Sequence, residues 1–222
     1  MFVSDTNQRF AWCQCLIALL FSAVAWAQET PFDRSVASVD GKVVTLSQLE
    51  LETRILLVMA GGTEAAFATL THDDLQRGLE VAVDHRVATL EADKLDAYQL
   101  EPGELDHAVS QFRDALGGEP AFRRFLETYD VTATDVADVI RRSMRASKVL
   151  DGRLRLKAQV TEAEARRHQA EHPKLRTATV SQVRELLFTQ RFRALIAQYV
   201  KQARKAADVR FLGPFAPGAA KE

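Results

Sequence analysis

Two histidines in the last third of the chain are the residues best suited by type and spacing to carry chemistry. His168 and His172 enclose Glu171 in an H-x-x-E-H pattern, which is the pattern of inverted zinc peptidases. Histidines four residues apart lie on one face of a helix, so both imidazoles could bind one zinc ion. Glu171 would then act as the general base.

The surrounding residues argue against this zinc site. Pro173 ends any helix directly after the motif, because proline cannot continue a helix. A third ligand would have to come from Glu185 or Asp208, and neither lies in a supporting motif. Short patterns of this kind also recur by chance in charged helices. We therefore interpret the motif as a charged helix end, predict no metal site, and keep a zinc hydrolase as the third and least favoured function.

Other catalytic arrangements are missing from the sequence. It contains no glycine-rich phosphate loop, no nucleophile elbow and no dense pair of acids, and Gly61-Gly62 and Gly117-Gly118 are typical of helix ends. Cys13 and Cys15 both lie in an apolar amino-terminal run that we expect to be removed. The sequence therefore predicts no catalytic residue, no cofactor and no small-molecule substrate.

The charge balance excludes one class of partner. The chain has 29 basic and 30 acidic residues and a formal net charge of −1. A protein that binds nucleic acid or another polyanion usually carries a basic excess. We therefore predict no nucleic-acid partner.

The amino terminus has the layout of a secretory signal peptide. An apolar run spans residues 11–27 and ends in Ala25-Trp26-Ala27, the small-x-small pattern that a signal peptidase cleaves. Polar residues follow directly from Gln28. We predict a signal peptide over residues 1–27, cleavage after Ala27 and export to the periplasm. An uncleaved membrane anchor is the alternative, because the run is only slightly shorter than a spanning helix.

The elements after this segment are mainly helical, with short strands at the two ends. Residues 36–39 and 43–44 are typical of a hairpin around the turn Asp40-Gly41, and residues 209–212 of a final strand. Neither element can satisfy its backbone alone. We therefore predict one small sheet that joins them, with the last helix packed into the amino-terminal helical body.

Helix boundaries divide the rest of the chain. Thr45 and Gln48 have the spacing of a capping box at the first helix. We predict a module over residues 28–212, made of a helical body (45–173) and a closing helix and strand (180–212). Residues 213–222 are rich in glycine, proline and alanine and are predicted to be a disordered tail.

One helix of the body has a strongly basic face. We interpret that face as solvated, because a run of like charges on a helix most often faces water. Its members are Arg141, Arg142, Arg145, Lys148, Arg153, Arg155 and Lys157.

Three segments resemble the SurA and PrsA families of exported foldases. Residues 36–50 are similar to the family's valine-rich strand, Asp-Gly turn and helix entry. Residues 132–172 resemble the approach to the family's parvulin isomerase domain, and residues 184–212 the long last helix and closing strand. The resemblance implies a mostly α fold, a SurA N-terminal-like helical module with a small sheet from the amino-terminal hairpin and the carboxyl-terminal strand.

The chain departs from these families at one place. Their parvulin domain, of about 90 residues, is the size of a small domain and lies between the last two helices. Here only residues 174–179 connect those helices. The isomerase activity that the resemblance suggests is therefore expected to be absent.

The part that remains is the one that, in these families, holds unfolded chains. The resemblance thus implies a periplasmic chaperone for unfolded or partly folded envelope or outer-membrane proteins, acting through an apolar groove with a polar rim. A scaffold that binds one folded partner is the alternative, and the sequence does not specify an oligomeric state. The candidate client-binding residues, which the sequence alone does not distinguish from core residues, are Met59, Phe67, Phe112, Phe122, Phe125, Tyr129 and Met144.

Overall fold

A computed structural model describes residues 33–216. The predicted signal peptide and the end of the predicted tail lie outside these residues. The described chain starts with a hairpin of β1 (Ser35–Val39) and β2 (Lys42–Thr45). Asp40 and Gly41 form its turn and both have positive φ, 51° and 79°. This is the conformation that a two-residue hairpin needs, and an Asp-Gly pair adopts it readily.

The hairpin is completed by a strand from the other end of the chain. Strand β3 (Val209–Phe211) pairs antiparallel with β1, which gives the strand order β2-β1-β3. The backbone N–H of Leu212 also donates to the carbonyl of Val36 at 2.8 Å. The prediction of a single small sheet is confirmed.

Seven α-helices make up most of residues 33–216. Five of them begin at a threonine that forms a capping box with the residue three positions later, namely Thr45, Thr71, Thr132, Thr161 and Thr179. The helices are α1 (Leu46–Met59), α2 (His72–Lys94), α3 (Glu104–Leu116), α4 (Glu119–Tyr129), α5 (Ala133–Ala158), α6 (Glu162–Glu171) and α7 (Val180–Ala206). The mostly helical prediction is confirmed.

Two main clusters of buried side chains hold these elements together. The first lies between the sheet, α2 and the second half of α7, and includes Val36, Leu79 and Val83. The second lies between α1, α3, α4 and α5, and includes Ile55 and Ile140. Helix α7 packs against α2 and α5, so the closing helix joins the helical body as predicted.

A third and smaller cluster joins α6 to the first half of α7. Its buried members are Val160, Ala165 and Val183. Helix α6 ends at Glu171, and Pro173 opens a short 3-10 turn (Pro173–Leu175) that leads to α7. The proline therefore ends the helix where the sequence places its end.

Helices α1 and α2 approach each other closely at Gly78. A Cβ atom at this position would lie 2.0 Å from Oγ1 of Thr53, so only glycine fits without a shift of the helices. The contact brings Glu52, next to Thr53 on α1, toward the side of α2 that carries Arg86.

The folded part extends further than the sequence indicates. Gly213–Phe215 forms a 3-10 turn, and Phe215 is 6% exposed in the first cluster. Its ring stacks on that of His72 with centroids 5.3 Å apart. The tail expected from residue 213 is therefore displaced, because burial of this aromatic ring fixes the chain to residue 216.

No helix among residues 33–216 combines the length and the apolar character that crossing a bilayer requires.

Candidate functional site

The aromatic residues proposed from the sequence to bind clients lie mostly in the second cluster. Phe112, Phe122 and Phe125 are 1%, 4% and 0% exposed. The ring of Phe112 lies edge-on to that of Phe125 at 5.6 Å between centroids and to that of Phe122 at 6.3 Å. Tyr129 and Met144 are partly buried against the same cluster. In this conformation, the three phenylalanines contact the protein interior and offer no surface to a client.

Met59 and Phe67 are the members of this set that remain exposed, at 43% and 39%. The ring of Phe67 contacts Phe125 edge-on at 6.2 Å, and the guanidinium of Arg124 lies 4.7 Å from its centroid. Nearby, the hydroxyl of Tyr129 donates to the carbonyl oxygen of Ala66 at 2.7 Å. Phe67 is therefore the exposed edge of the aromatic cluster.

The largest concave surface of the described chain lies elsewhere. It is a cleft of about 970 Å³, bounded by β2, the first half of α1, the middle of α2, the α4–α5 turn and α5. This volume is at the upper end of the range typical of ligand sites. Its rim includes Val43 on β2 and Val131 in the α4–α5 turn, whereas many of its other lining residues are charged. The cleft therefore differs from the apolar groove expected from the sequence.

A buried carboxylate lies at the floor of this cleft. The side chain of Glu52 is 2% exposed and receives a bidentate contact from Arg86, with Nη1 to Oε1 at 3.1 Å and Nη2 to Oε2 at 2.9 Å. Nη1 of Arg142 also donates to Oε2, at 2.8 Å. These three side chains connect α1, α2 and α5 through ionic hydrogen bonds, which are stronger than neutral ones.

The charges at the floor do not balance. Two guanidinium groups share one carboxylate, and the side chains of Arg86 and Arg142 are 15% and 32% exposed. Burial lowers the pKa of Arg142, the positive charge of Arg86 lowers it further, and the charge of Glu52 opposes both. Burial also lowers the pKa of the neighbouring His85. The floor therefore carries a partly desolvated positive charge.

The rest of the basic face of α5 is also paired. Arg145 contacts Asp93 and donates to the carbonyl of Ala97, and Lys148 contacts Glu104 at 2.6 Å. Four members of the face thus bind acids on α1, α2 and α3, the fourth being Arg153 with Glu91. The interpretation of this face as solvated is wrong for these four residues, because each contacts an acidic side chain on another helix.

The sequence analysis missed Glu52 and Arg86. The available signal was the spacing of Leu49, Glu52 and Ile55, which puts an acid on the apolar stripe of α1. An acid at such a position is buried only with a cationic partner, because burying an unpaired charge is costly.

The His168, Glu171 and His172 group lies at the exposed end of α6, away from the cleft. One potential ligand atom from each residue lies within 4.8 Å of the others. The two imidazole rings, however, are stacked with centroids 3.9 Å apart and planes inclined by 28°. Their in-plane lone pairs therefore do not meet at the distance of about 2.0–2.1 Å that zinc–nitrogen bonds require. In addition, Nδ1 of His172 makes a hydrogen bond with the carbonyl of His168 at 2.8 Å.

We expect this histidine pair to bind no zinc tightly, because both rings would have to leave their stacked positions. Elemental analysis of the purified protein, after dialysis against a weak chelator, should find far less than one zinc ion per chain. The His168→Ala variant is the control and should give the same value. One equivalent of zinc that disappears in this variant would favour a hydrolase.

No protein-family model matches the sequence, and no curated protein was found to be similar to it. Function must therefore be argued from the geometry of the cleft and from the residues that surround it.

Proposed function

We propose that this protein is a periplasmic chaperone without prolyl isomerase activity, which holds unfolded or partly folded envelope or outer-membrane proteins. The observation that carries the proposal is the cleft of about 970 Å³, which runs beside the open edge of a β-strand. An extended polypeptide can bind such an edge through main-chain hydrogen bonds, which do not depend on its sequence. The resemblance to exported foldases and the predicted signal peptide support the envelope as the location.

Strand β2 offers its main-chain groups to the cleft at Val43. The N–H of Leu46 donates to the carbonyl of Arg34, so Lys42 and Val44 also face β1 in the alternating ladder. The N–H and C=O of Val43 therefore face the open edge. Its side chain is 52% exposed and lines the cleft. One residue of a client can pair here, and the remaining contacts would come from the cleft walls.

Weak and adaptable contacts are consistent with holding a client and releasing it. Beyond the cleft, Met59 and Phe67 offer exposed apolar surface at the end of α1 and in the turn that follows. Large exposed apolar side chains close together are typical of interaction surfaces. They could bind further apolar side chains of a long unfolded chain.

The absence of isomerase activity follows from the connection between α6 and α7. Acceleration of prolyl isomerisation requires a shaped pocket around the proline, because the uncatalysed barrier is about 18–20 kcal/mol. In the families that this chain resembles, the parvulin domain provides that pocket. Here the connection is a 3-10 turn and a few further residues, and α6 packs directly against α7.

We expect the purified protein to suppress aggregation of an unfolded β-barrel protein and to leave cis–trans exchange in a proline test peptide unchanged. Light scattering measures the first quantity, and a protease-coupled or NMR exchange assay measures the second. The Val43→Pro variant removes the N–H at the open edge, a position where an edge strand tolerates proline. Loss of one hydrogen bond of about 1 kcal/mol should weaken client binding about fivefold.

The matched control is Val43→Thr, which keeps the N–H and the β-branched shape, and should suppress aggregation as the unchanged protein does. Acceleration of proline exchange would contradict the argument from the short connection. If aggregation is not suppressed and one folded protein is recovered in stoichiometric amount from periplasmic extract, the scaffold function replaces the chaperone.

A further inference from the structure

Arg142 is the side chain at the floor of the cleft that has donors left over. Within residues 33–216 its recorded hydrogen bond is the one from Nη1 to Glu52. A guanidinium group has five N–H donors in a planar fork. Arg142 lines the cleft and 32% of its side chain is exposed, so its other donors are accessible from the cleft.

The neighbouring groups do not satisfy this charge. Both oxygens of Glu52 already accept hydrogen bonds from Arg86, and Arg86 also donates to the carbonyl of Ala82 at 2.7 Å. Asp138, the acid next in reach of Arg142, is paired with Arg141. Arg142 therefore shares a carboxylate that is bound in bidentate fashion by another arginine, whereas Arg141 and Arg145 each have a carboxylate partner of their own.

An anion with two oxygens in a plane fits this arrangement. The remaining N–H groups of a guanidinium match the geometry of a carboxylate, and desolvation at the cleft floor strengthens such a contact. A second carboxylate would also restore the one-to-one balance of guanidinium and carboxylate groups at the floor.

We propose that Arg142 binds the C-terminal carboxylate of an extended polypeptide that enters the cleft along β2. This inference rests on the proposed chaperone function and names the part of the client that the cleft recognises. The chain end is favoured over an internal acidic side chain because Glu52 and its partners lie at the floor, where a chain end can enter without having to leave again. Main-chain pairing at Val43 alone is also too short to bind an internal segment firmly.

The test compares three forms of one fluorescent peptide of alternating valine and threonine. The first form ends in a free carboxylate, the second in an amide, and the third ends in an amide and carries one internal glutamate. Fluorescence polarisation measures their affinities for the whole protein. We expect the free acid to bind about tenfold more tightly than either amide, the effect of one ionic hydrogen-bonded pair.

Two substitutions on α5 locate the effect. Arg142→Gln should abolish the preference for the free acid, and Glu52 keeps its bidentate partner Arg86 in that variant. Arg141→Gln removes the same charge one residue away and should keep the preference. Arg142→Lys keeps the charge but not the planar fork, and should reduce the preference without abolishing it. Thermal unfolding followed by circular dichroism shows whether each variant is folded, and the comparison of peptides on the unchanged protein needs no variant.

Equal affinities for the acid and the amide would overturn the inference, and so would a glutamate peptide that binds as tightly as the free acid. The same holds if the protein suppresses aggregation but binds none of the three peptides. Each of these results leaves the chaperone function intact, because that function is judged by aggregation of the unfolded β-barrel protein.

Discussion

Replacement of Glu52 by alanine is expected to lower the free energy of unfolding by about 3–5 kcal/mol. The carboxylate is 2% exposed and binds Arg86 and Arg142 from two other helices. Its removal leaves two guanidinium groups close together in the interior with no counter-charge. Such a change costs more than the intact ion pair contributes, since the remaining charges keep their desolvation penalty. Urea denaturation followed by circular dichroism measures the difference.

Glu50→Ala is the matched control for this prediction. Glu50 lies on the same helix and lines the same cleft but has no ion pair recorded within residues 33–216, so its loss should change stability by no more than about 0.5 kcal/mol. A triple variant with Glu52→Leu, Arg86→Met and Arg142→Met should recover most of the stability, because apolar side chains of similar size remove the unpaired charges. Equal losses for Glu50→Ala and Glu52→Ala would contradict the ionic role of Glu52.

Phe125→Ala should destabilise the protein by about 3–5 kcal/mol, the range for removing a fully buried aromatic ring. The ring is 0% exposed and contacts Phe112, Tyr129 and Phe67. Its loss leaves a cavity between α3, α4 and the turn after α1. The midpoint of urea denaturation should fall without a change in the slope of the transition, provided that unfolding remains two-state.

Phe67→Ala separates the core from the surface of this aromatic cluster. The ring is 39% exposed, so its removal should cost about 1 kcal/mol and leave the fold intact. If exposed apolar surface helps to hold clients, this variant should suppress aggregation less well than the unchanged protein. A stable Phe125→Ala variant with reduced suppression would show instead that Phe125 faces clients, and would restore the client-binding role first proposed for it.

Local signals in the sequence were enough to predict most of the fold. The Asp40-Gly41 turn and the threonine caps at residues 45, 71, 132 and 161 specify their conformations through neighbours within a few residues. The pairing of β3 with the hairpin was also predictable, because an isolated strand cannot satisfy its backbone. These features depend on spacing and on hydrogen-bond requirements that any fold must meet.

The candidate site was less predictable, because it is made of long-range pairs. Arg86 and Arg142 are separated from Glu52 by 34 and 90 residues, and the periodicity of each helix says nothing about which acid meets which base. The basic face of α5 was interpreted as solvated for the same reason. An acid on the apolar stripe of α1 predicts that a cationic partner exists but does not identify it.

The aromatic residues illustrate a different limit. Helical spacing predicts that Phe122, Phe125 and Tyr129 share one face of α4, and the structure places them together. The same spacing describes the wall of a groove and the inside of a core. The difference depends on whether α3 and α5 cover that face, which is a property of the packed molecule.

The position of β1 at the centre of the sheet affects the order in which the protein can fold. The hairpin and the first helices are complete early in synthesis, but the second edge of β1 stays unpaired until residues 209–211 have emerged. Closing so long a loop is slow and entropically costly. During that delay the β3 strand of a second copy can pair with β1 in place of the chain's own. A high local concentration during folding would therefore produce strand-exchanged dimers, in which each copy contains the closing strand of the other.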